Sequence, residues 1–542
     1  MKSFRVLAAA LATALLLSAC SKTSTSGTST GGRNPWTIAG EVRVGNSDEP
    51  DSLNPMFAHT DASDQVAGLI FASLLKYDDN GNFIPDLATE VPSYANGGLS
   101  KDGKTITIHL RQGLRWSDGA PLTSKDWMFT YSAVRNPRNN IKGLFGWDDV
   151  ASADAPNATT IVIHLKQTNS TILGLLAFGG DAYPPLPAHI LAALPDINRA
   201  PFNGKPISSG PFVLQQWNHG SSLVFVPNPY YYRGPPHLKK ILWKVIPNTN
   251  SLFNELQTHD VDVLIGVSEN DIARLQQLQG ITVIKKLIAN WRHMEFNLDN
   301  PILADRRVRL AVAEGVDWKR INDTIYHGYN QLAVSDVFPL SWAAPNIPRY
   351  PYDPSDAKRL LAQAGWTAGP DGWLHRGGQQ LQLTISTGTN KQENIEAEVQ
   401  VQSQLKPFGI NLQIRNYPVN VLFAPTGPLY TGKYDISWTV AINAPDPDNS
   451  GLWNSKYIPP HGGNTSHLKD PIVDRTSTQA LLTFDQAKRK ALYQQEEERI
   501  HELVPSIFFY WENEYTAVNS DMKNLRPAAF VQDTWNAWDW QI

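Results

Sequence analysis

The 542-residue chain reads as a mixed α/β protein whose sheets are covered by helices in more than one lobe. Alternating apolar strands recur along it, and capped amphipathic helices alternate with strands in its second half. At ~150 residues per domain the length allows three or four domain-sized units. An apolar content of 42% excludes wholesale disorder. Lys and Arg number 47 against 51 Asp and Glu, with no basic block, which argues against a nucleic-acid partner or a polybasic membrane surface. The one cysteine, Cys20, excludes an intrachain disulfide and a cysteine-based zinc site, and from its position a cysteine nucleophile.

In chain order, the first feature is a leader. Lys2 and Arg5 precede an apolar stretch, Val6 to Leu17, of 12 residues. A bilayer span needs ~20, so this is the core of a signal peptide over residues 1–19 and not an anchor helix. It closes on Leu17-Ser18-Ala19-Cys20, which matches a bacterial lipobox and predicts a diacylated Cys20 at the head of the mature chain. Two or three acyl chains anchor a protein stably where one does not. Removing Lys2 and Arg5 leaves 45 basic against 51 acidic residues, a net charge of −6. Residues 20–35 are dominated by Ser, Thr and Gly and form a lipidated, flexible tether, with folded structure starting near Trp36.

Two enzyme motifs fail on context. Gly27-Thr28-Ser29-Thr30-Gly31 matches a nucleophile elbow but lies in the tether, without the strand and helix that an elbow needs. Gly98 to Thr105 matches a phosphate-binding loop, yet Ile106, Ile108 and Leu110 then alternate with polar residues. That is a strand entered through the Asp102-Gly103 turn, so Lys104 has no helix N-terminus beside it. The 13 histidines are scattered without metal-ligand spacing. Glu496-Glu497-Glu498 reads as a solvated helix face. Asp446-Pro447-Asp448 reads as a turn and not as a glycosidase pair. Neither a metal nor a cofactor is expected.

The elements follow from pattern and capping. Glu41 to Gly45 is an alternating strand, and Val66, Leu69, Ile70, Phe71, Leu74 and Leu75 give residues 64–77 a helical apolar face. Thr123 caps a helix over 124–134, with Asp126 in a capping-box position. Thr160 to Gln167 echoes Thr105 to Gln112, as two similar strands of one sheet do. Asp305 and Asp353 cap two further helices, the second closed by Gly365. Ile395, Val399 and Leu405 mark another helix, and Leu412-Gln413-Ile414 a strand.

Several segments resemble the family 5 extracellular solute-binding proteins, the oligopeptide- and dipeptide-binding lipoproteins of ABC importers. Ser52-Leu53-Asn54-Pro55 followed by Ile70 to Leu75 resembles the family's opening. Asp102-Gly103-Lys104-Thr105, through Leu114-Arg115-Trp116-Ser117-Asp118-Gly119 to Pro121-Leu122-Thr123, is similar to its main signature. Ser209-Gly210-Pro211-Phe212, Asn228 to Gly234, Phe296-Asn297 with Asp305 to Arg309, and Tyr434-Asp435-Ile436 leading to Asp446-Pro447-Asp448 continue the likeness in order.

The resemblance implies a periplasmic-binding-protein type II-like α/β fold, two lobes with an extra inserted domain and the ligand enclosed between them. Lobe 1 is expected from 36–78, 202–290 and 508–542, the inserted domain from 79–201, and lobe 2 from 291–507, with hinge strands near 288–291 and 507–510. It implies no catalysis. The expected partners are a peptide, or else an oligosaccharide or other small solute, and an ABC permease with its ATPases. The membrane is reached through the lipid anchor only, by a monomer in the cell envelope at its periplasmic or extracellular face. A secreted hydrolase is the contrasting class. Peptide-binding members that prefer a free amino terminus carry an aspartate three residues before the D/E-P pair, and here that position is Asn443. The expected ligand-binding residues are therefore Asn443, Trp438, Trp453 and Asp446, with an uncharged amide weakening selection for a free ammonium. Cys20→Ala is expected to move the protein from the membrane to the soluble fraction. Wild-type protein already soluble after cell disruption would refute the anchor.

Overall fold

Two long antiparallel strands, Ile281–Phe296 and Ser506–Asn519, run side by side through the molecule. The computed structural model describes residues 33–141, 143–144, 146–177, 182–267 and 269–542, so Cys20 and the leader lie outside the described residues. From Ile38 to Ile542 the chain forms one unit. Among the described residues its main sheet has 11 strands, one of which, Gln331–Leu332, pairs with Ser506–Asn519 off the main order. On one side of the long pair come Ile436–Ile442, Gln382–Thr387 and Asn411–Ile414; on the other come Val263–Leu264, Glu41–Asn46, Lys240–Val245, Ser222–Pro227 and Phe212–Asn218.

Each half of the sheet has its own core. Lobe 1 packs Val42, Val44, Leu69, Phe225, Ile241 and Trp243. Lobe 2 packs Trp318, Ile385, Val401, Leu412, Trp438 and Phe509. Capped helices cover lobe 2: Asp305 caps Arg306–Gly315 and Asp353 caps Pro354–Gln363, each through its side chain. The register of the long pair slips between Leu287 and Trp291, where it passes from one lobe to the other.

A second, three-stranded sheet leans on lobe 1. Thr105–His109 pairs antiparallel with Thr160–Leu165, so the two echoing segments are neighbours in one sheet. Gly103 turns at φ +67° and Thr105 enters the strand directly, so the phosphate-loop match has no helix behind it. Thr123 and Asp126 form the anticipated capping box on Ser124–Arg135. This part also touches lobe 2. Ser170 Oγ donates to Ala480 O at 3.1 Å, and the Tyr94 and Phe484 rings meet edge-on at 6.0 Å. Phe338 of lobe 2 packs on Phe530 of the C-terminal tail at 4.7 Å. The lobes are thus in contact.

Three expectations are corrected. The helix expected over 64–77 spans Asp61–Ile70 only. Phe71 is extended, the Ile70 carbonyl accepts the Ser209 and Gly210 N–H groups, and Leu75–Tyr77 is a strand. The helix Gln392–Leu405 buries Asn394, Ala397, Glu398, Val401 and Leu405, while Val399 faces solvent at 48% exposure. Its inner face is thus polar at two positions, which apolar spacing could not reveal.

The acidic run is the third. Glu498 is exposed, but Glu496 and Glu497 are fully buried. Burial first, then the charge of Asp336, pushes both carboxyls well above the ordinary glutamate value. Glu497 Oε1 accepts from Asn449 Nδ2 at 2.8 Å. Glu295 is a related case on a long strand. It is buried, and its Oε1 accepts from Thr465 Oγ1 at 2.6 Å and Tyr434 Oη at 2.9 Å. Burial pushes its carboxyl up to about 7 in spite of both bonds.

As pH rises from 4.5 to about 7, the unfolded chain ionises Glu295 while the folded chain keeps its proton, so stability falls across that window. Glu295→Gln keeps a carbonyl acceptor and removes the titration. Between pH 4.5 and 8 the unfolding free energy of the variant is expected to gain about 3 kcal/mol on wild type. Denaturant melts at both pH values measure it, and a pH-independent difference would refute the assignment.

Candidate ligand cleft

A cleft of about 620 Å³ opens beside the register slip, between the lobes. Lobe 1 contributes Gly266, Val267 and Asn270. The long strands contribute Ile288 and Asn290, and Tyr510 with Glu512 to Glu514. Lobe 2 contributes the Ile325-Tyr326-His327 turn, Asn330, and Asn390 to Asn394. A solute seated here touches both lobes at once.

Local chemistry explains each wall. The helix Trp318–Ile325 ends at Tyr326, and His327 and Gly328 follow at φ +54° and +70°. That left-handed pair reverses the chain and leaves Tyr326 and His327 on the cleft. Tyr326 Oη donates to Asn394 Oδ1 at 3.1 Å, and its ring meets Tyr510 edge-on at 4.9 Å. Asn513 ties lobe 2 to the strand pair: its Nδ2 donates to Tyr329 O at 2.7 Å, and its N–H to Asn330 Oδ1 at 3.2 Å. The first turn of Gln392–Leu405 lines the cleft without a side-chain cap. Lys391 and Glu393 both line it there.

The long strands bring charge. Arg292, 4% exposed, donates from Nε to Tyr510 Oη and from Nη2 to Glu512 Oε1, both at 3.0 Å. Burial works against its charge, but Tyr510 and then Glu512 outweigh it and raise its pKa. Lys286 reaches Glu514 at 2.7 Å and also pairs with the buried Asp533. Among the described residues, no group of three or more His, Cys, Asp or Glu is placed to hold a metal ion.

None of the residues singled out from sequence lines this cleft. Trp438 is 1% exposed and packs on Trp318 and Phe509 at 6.1 and 5.3 Å. Trp453, equally buried, donates from Nε1 to Asp336 Oδ2 at 2.9 Å. Neither ring offers a face to a solute, although both are expected from sequence among the ligand-binding residues. Asp446 is held by Arg489 through two bonds of 2.8 and 2.6 Å. Asn443 is half-buried. Its Oδ1 accepts from Trp291 Nε1 at 2.7 Å, its Nδ2 donates to the Asp336 carbonyl, and its N–H donates to Ala289 O at 2.9 Å. Trp291 and Asn290 point to opposite faces of their strand, and Asn290 is the one that lines the cleft. The structure therefore joins Asn443 to Trp453, through Asp336, in a network on the far face.

Sequence reasoning missed Tyr326, Arg292, Glu512 and Glu514. A signal was present in Ser506–Asn519, where two glutamates interrupt a strand that is otherwise mostly aromatic and apolar. Asn443→Ala would leave Trp291 Nε1 without an acceptor. It is expected to cost about 1–3 kcal/mol of stability while leaving ligand preference unchanged. Denaturant melts together with a ligand ranking test this, and an altered ranking at unchanged stability would refute it.

Residues 82–460 match the family model described as bacterial extracellular solute-binding proteins, family 5 Middle. The oligopeptide-binding protein AppA of Bacillus subtilis is 27% identical over 527 residues, covering 95% of this chain and 94% of its own. The structure of that AppA in complex with a nonapeptide superposes with a TM-score of 0.71 at 24% identity, over 92% of this chain and 98% of the other. NikZ from Campylobacter jejuni, solved in complex with Ni(L-His), superposes at 0.73 with 26% identity, over 93% and 100%. With its two cores, its interlobe cleft and a family match over most of its length, the chain belongs to the family 5 bacterial extracellular solute-binding proteins.

Proposed function

We propose that the protein captures extended peptides between its lobes and delivers them, as a monomer, to an ABC permease and its ATPases. In this reading it works from a lipid anchor at Cys20, on the periplasmic or extracellular face of the cell envelope. One observation carries the peptide reading. Gln382–Thr387 covers the edge of Ile436–Ile442 only as far as Trp438. Among the described residues, Val440 to Ile442 have no strand on that side, and Val440 and Ile442 are 37% and 74% exposed. Asn290, paired opposite Ile442, and Asn390 both line the cleft. An extended peptide completes such an edge through main-chain hydrogen bonds, which tolerate any side chain. The peptide-bound relative AppA supports the same reading.

Capture needs no bond making or breaking. Contacts made to both lobes together favour the closed arrangement over the open one. An oligosaccharide has less support, because the two tryptophans on which it would stack are core residues. A peptide at ~100 times its dissociation constant is expected to stabilise the fold by ~2.7 kcal/mol. Thermal melts against pentapeptides and against maltooligosaccharides test this. Stabilisation by the sugars alone would overturn the peptide reading.

A further inference from the structure

The loop Leu482 to Asp485 joins the lobe 2 helices Pro471–Leu481 and Gln486–Leu503 and crosses to the inserted domain. Phe484 is half-buried there, and it packs against the core shared by lobe 1 and the inserted domain. Its seat is the turn that resembles a phosphate-binding loop. A Cβ on Gly103 would meet Phe484 Cε2 at 3.3 Å and Thr168 Cγ2 at 2.9 Å, so the bare glycine, at φ +67°, leaves room for the ring. Thr168 Oγ1 donates to Asp102 O at 2.8 Å and fixes the same turn. Tyr94 meets Phe484 edge-on, and the Ser170–Ala480 hydrogen bond joins the same two parts. The exchange also runs the other way. Phe530 of the C-terminal tail is half-buried against the core of Phe338, Trp453 and Val473. Each part thus lends one phenyl ring to the other's core. Both rings keep some surface in water, and Leu482 beside Phe484 is 48% exposed. The Ser170–Ala480 bond exchanges for bonds to water at little net cost. Contacts of this kind come apart without unfolding either part, unlike the ladder of the long strands.

We propose that Phe484 and its loop form a latch, which seats on the inserted domain when the lobes close and delays release of the solute. The inserted domain then has a task of its own, as the catch for lobe 2. The chain enters lobe 2 along Ile281–Phe296 and leaves it along Ser506–Asn519, so non-covalent contacts set how the lobes are arranged about that pair. A contact made only in the closed arrangement favours it and slows opening. Neither Phe484 nor Tyr94 lines the cleft, so the latch adds retention and not selectivity. The assignment rests on capture by lobe closure.

The test compares wild type, Phe484→Ala, Tyr94→Ala and the double variant in two measurements. The first is the rate of pentaalanine dissociation from immobilised protein, read by surface plasmon resonance. Phe484→Ala is expected to raise it ~3- to 10-fold, the worth of one edge-on aromatic pair, with the association rate little changed. Tyr94→Ala is expected to act in the same direction, and the double variant no further than the larger single one. The second is the radius of gyration of the peptide-free proteins by small-angle scattering, which is expected to rise in Phe484→Ala as the lobes part more often. Equal dissociation rates together with equal radii would overturn the latch. So would a lower melting temperature for Phe484→Ala with an unchanged dissociation rate, the signature of a fixed domain interface. In both cases capture by lobe closure stands. If pentaalanine does not bind wild type, peptide capture fails and the radii alone decide: a larger radius in Phe484→Ala keeps the latch, and equal radii remove it.

Discussion

The pairing of Ile281–Phe296 with Ser506–Asn519 is the constraint on which the rest depends. Every backbone group inside a buried ladder needs a partner, so two long strands joined in one ladder hold both lobes in one sheet. Here the register slips between Leu287 and Trp291, and the cleft lies against that irregularity. The same strands carry Glu512 and Glu514 of the cleft wall, so the element that links the lobes also lines the space between them.

Acids at the cleft and acids in the core of lobe 2 have different partners. Glu512 and Glu514 face the cleft and have cations from the neighbouring strand. Behind them Glu295, Glu496 and Glu497 are buried without a cation of their own, and burial favours their neutral forms. Of these, Glu497 accepts from Asn449 and so helps to hold the 443–449 loop, while the Asp336 carbonyl accepts from Asn443 at its start. Pro445 of that loop lies beside the turn at Gly81, where the chain leaves lobe 1 for the inserted domain, and next to Phe530 of the lobe 1 tail. The packing of lobe 2 thus positions a surface that meets lobe 1, at a distance from the solute itself.

Family membership and cleft geometry point the same way, but they locate recognition differently from a motif read position by position. The position that holds an aspartate in amino-terminus-binding members is occupied here by an amide that belongs to the internal support of the sheet. The strand edge at Val440–Ile442, immediately before it, offers main-chain groups and exposed apolar side chains. Main-chain recognition suits a receptor for peptides of varied sequence.

The sequence alone determined the class of fold, its main helix caps and the absence of a nucleotide-binding helix after Lys104. Those features are local: a capping box at Thr123 and Asp126, a turn at Asp102-Gly103, and alternation at Ile106, Ile108 and Leu110 act over a few residues. Ordered family-like segments made the two-lobed architecture legible as well. Burial of polar residues was not legible. The run Glu496-Glu497-Glu498 looks like solvent-facing charge, and only packing against Asp336 and Asn449 turns two of the three inward. Which tryptophans are core and which face of a strand meets a cleft depend on partners hundreds of residues away, such as Trp291 with Asn443 or Lys286 with Asp533. Apolar periodicity reports how a segment is oriented but not what it is oriented toward, and that second half was decided by the tertiary structure alone.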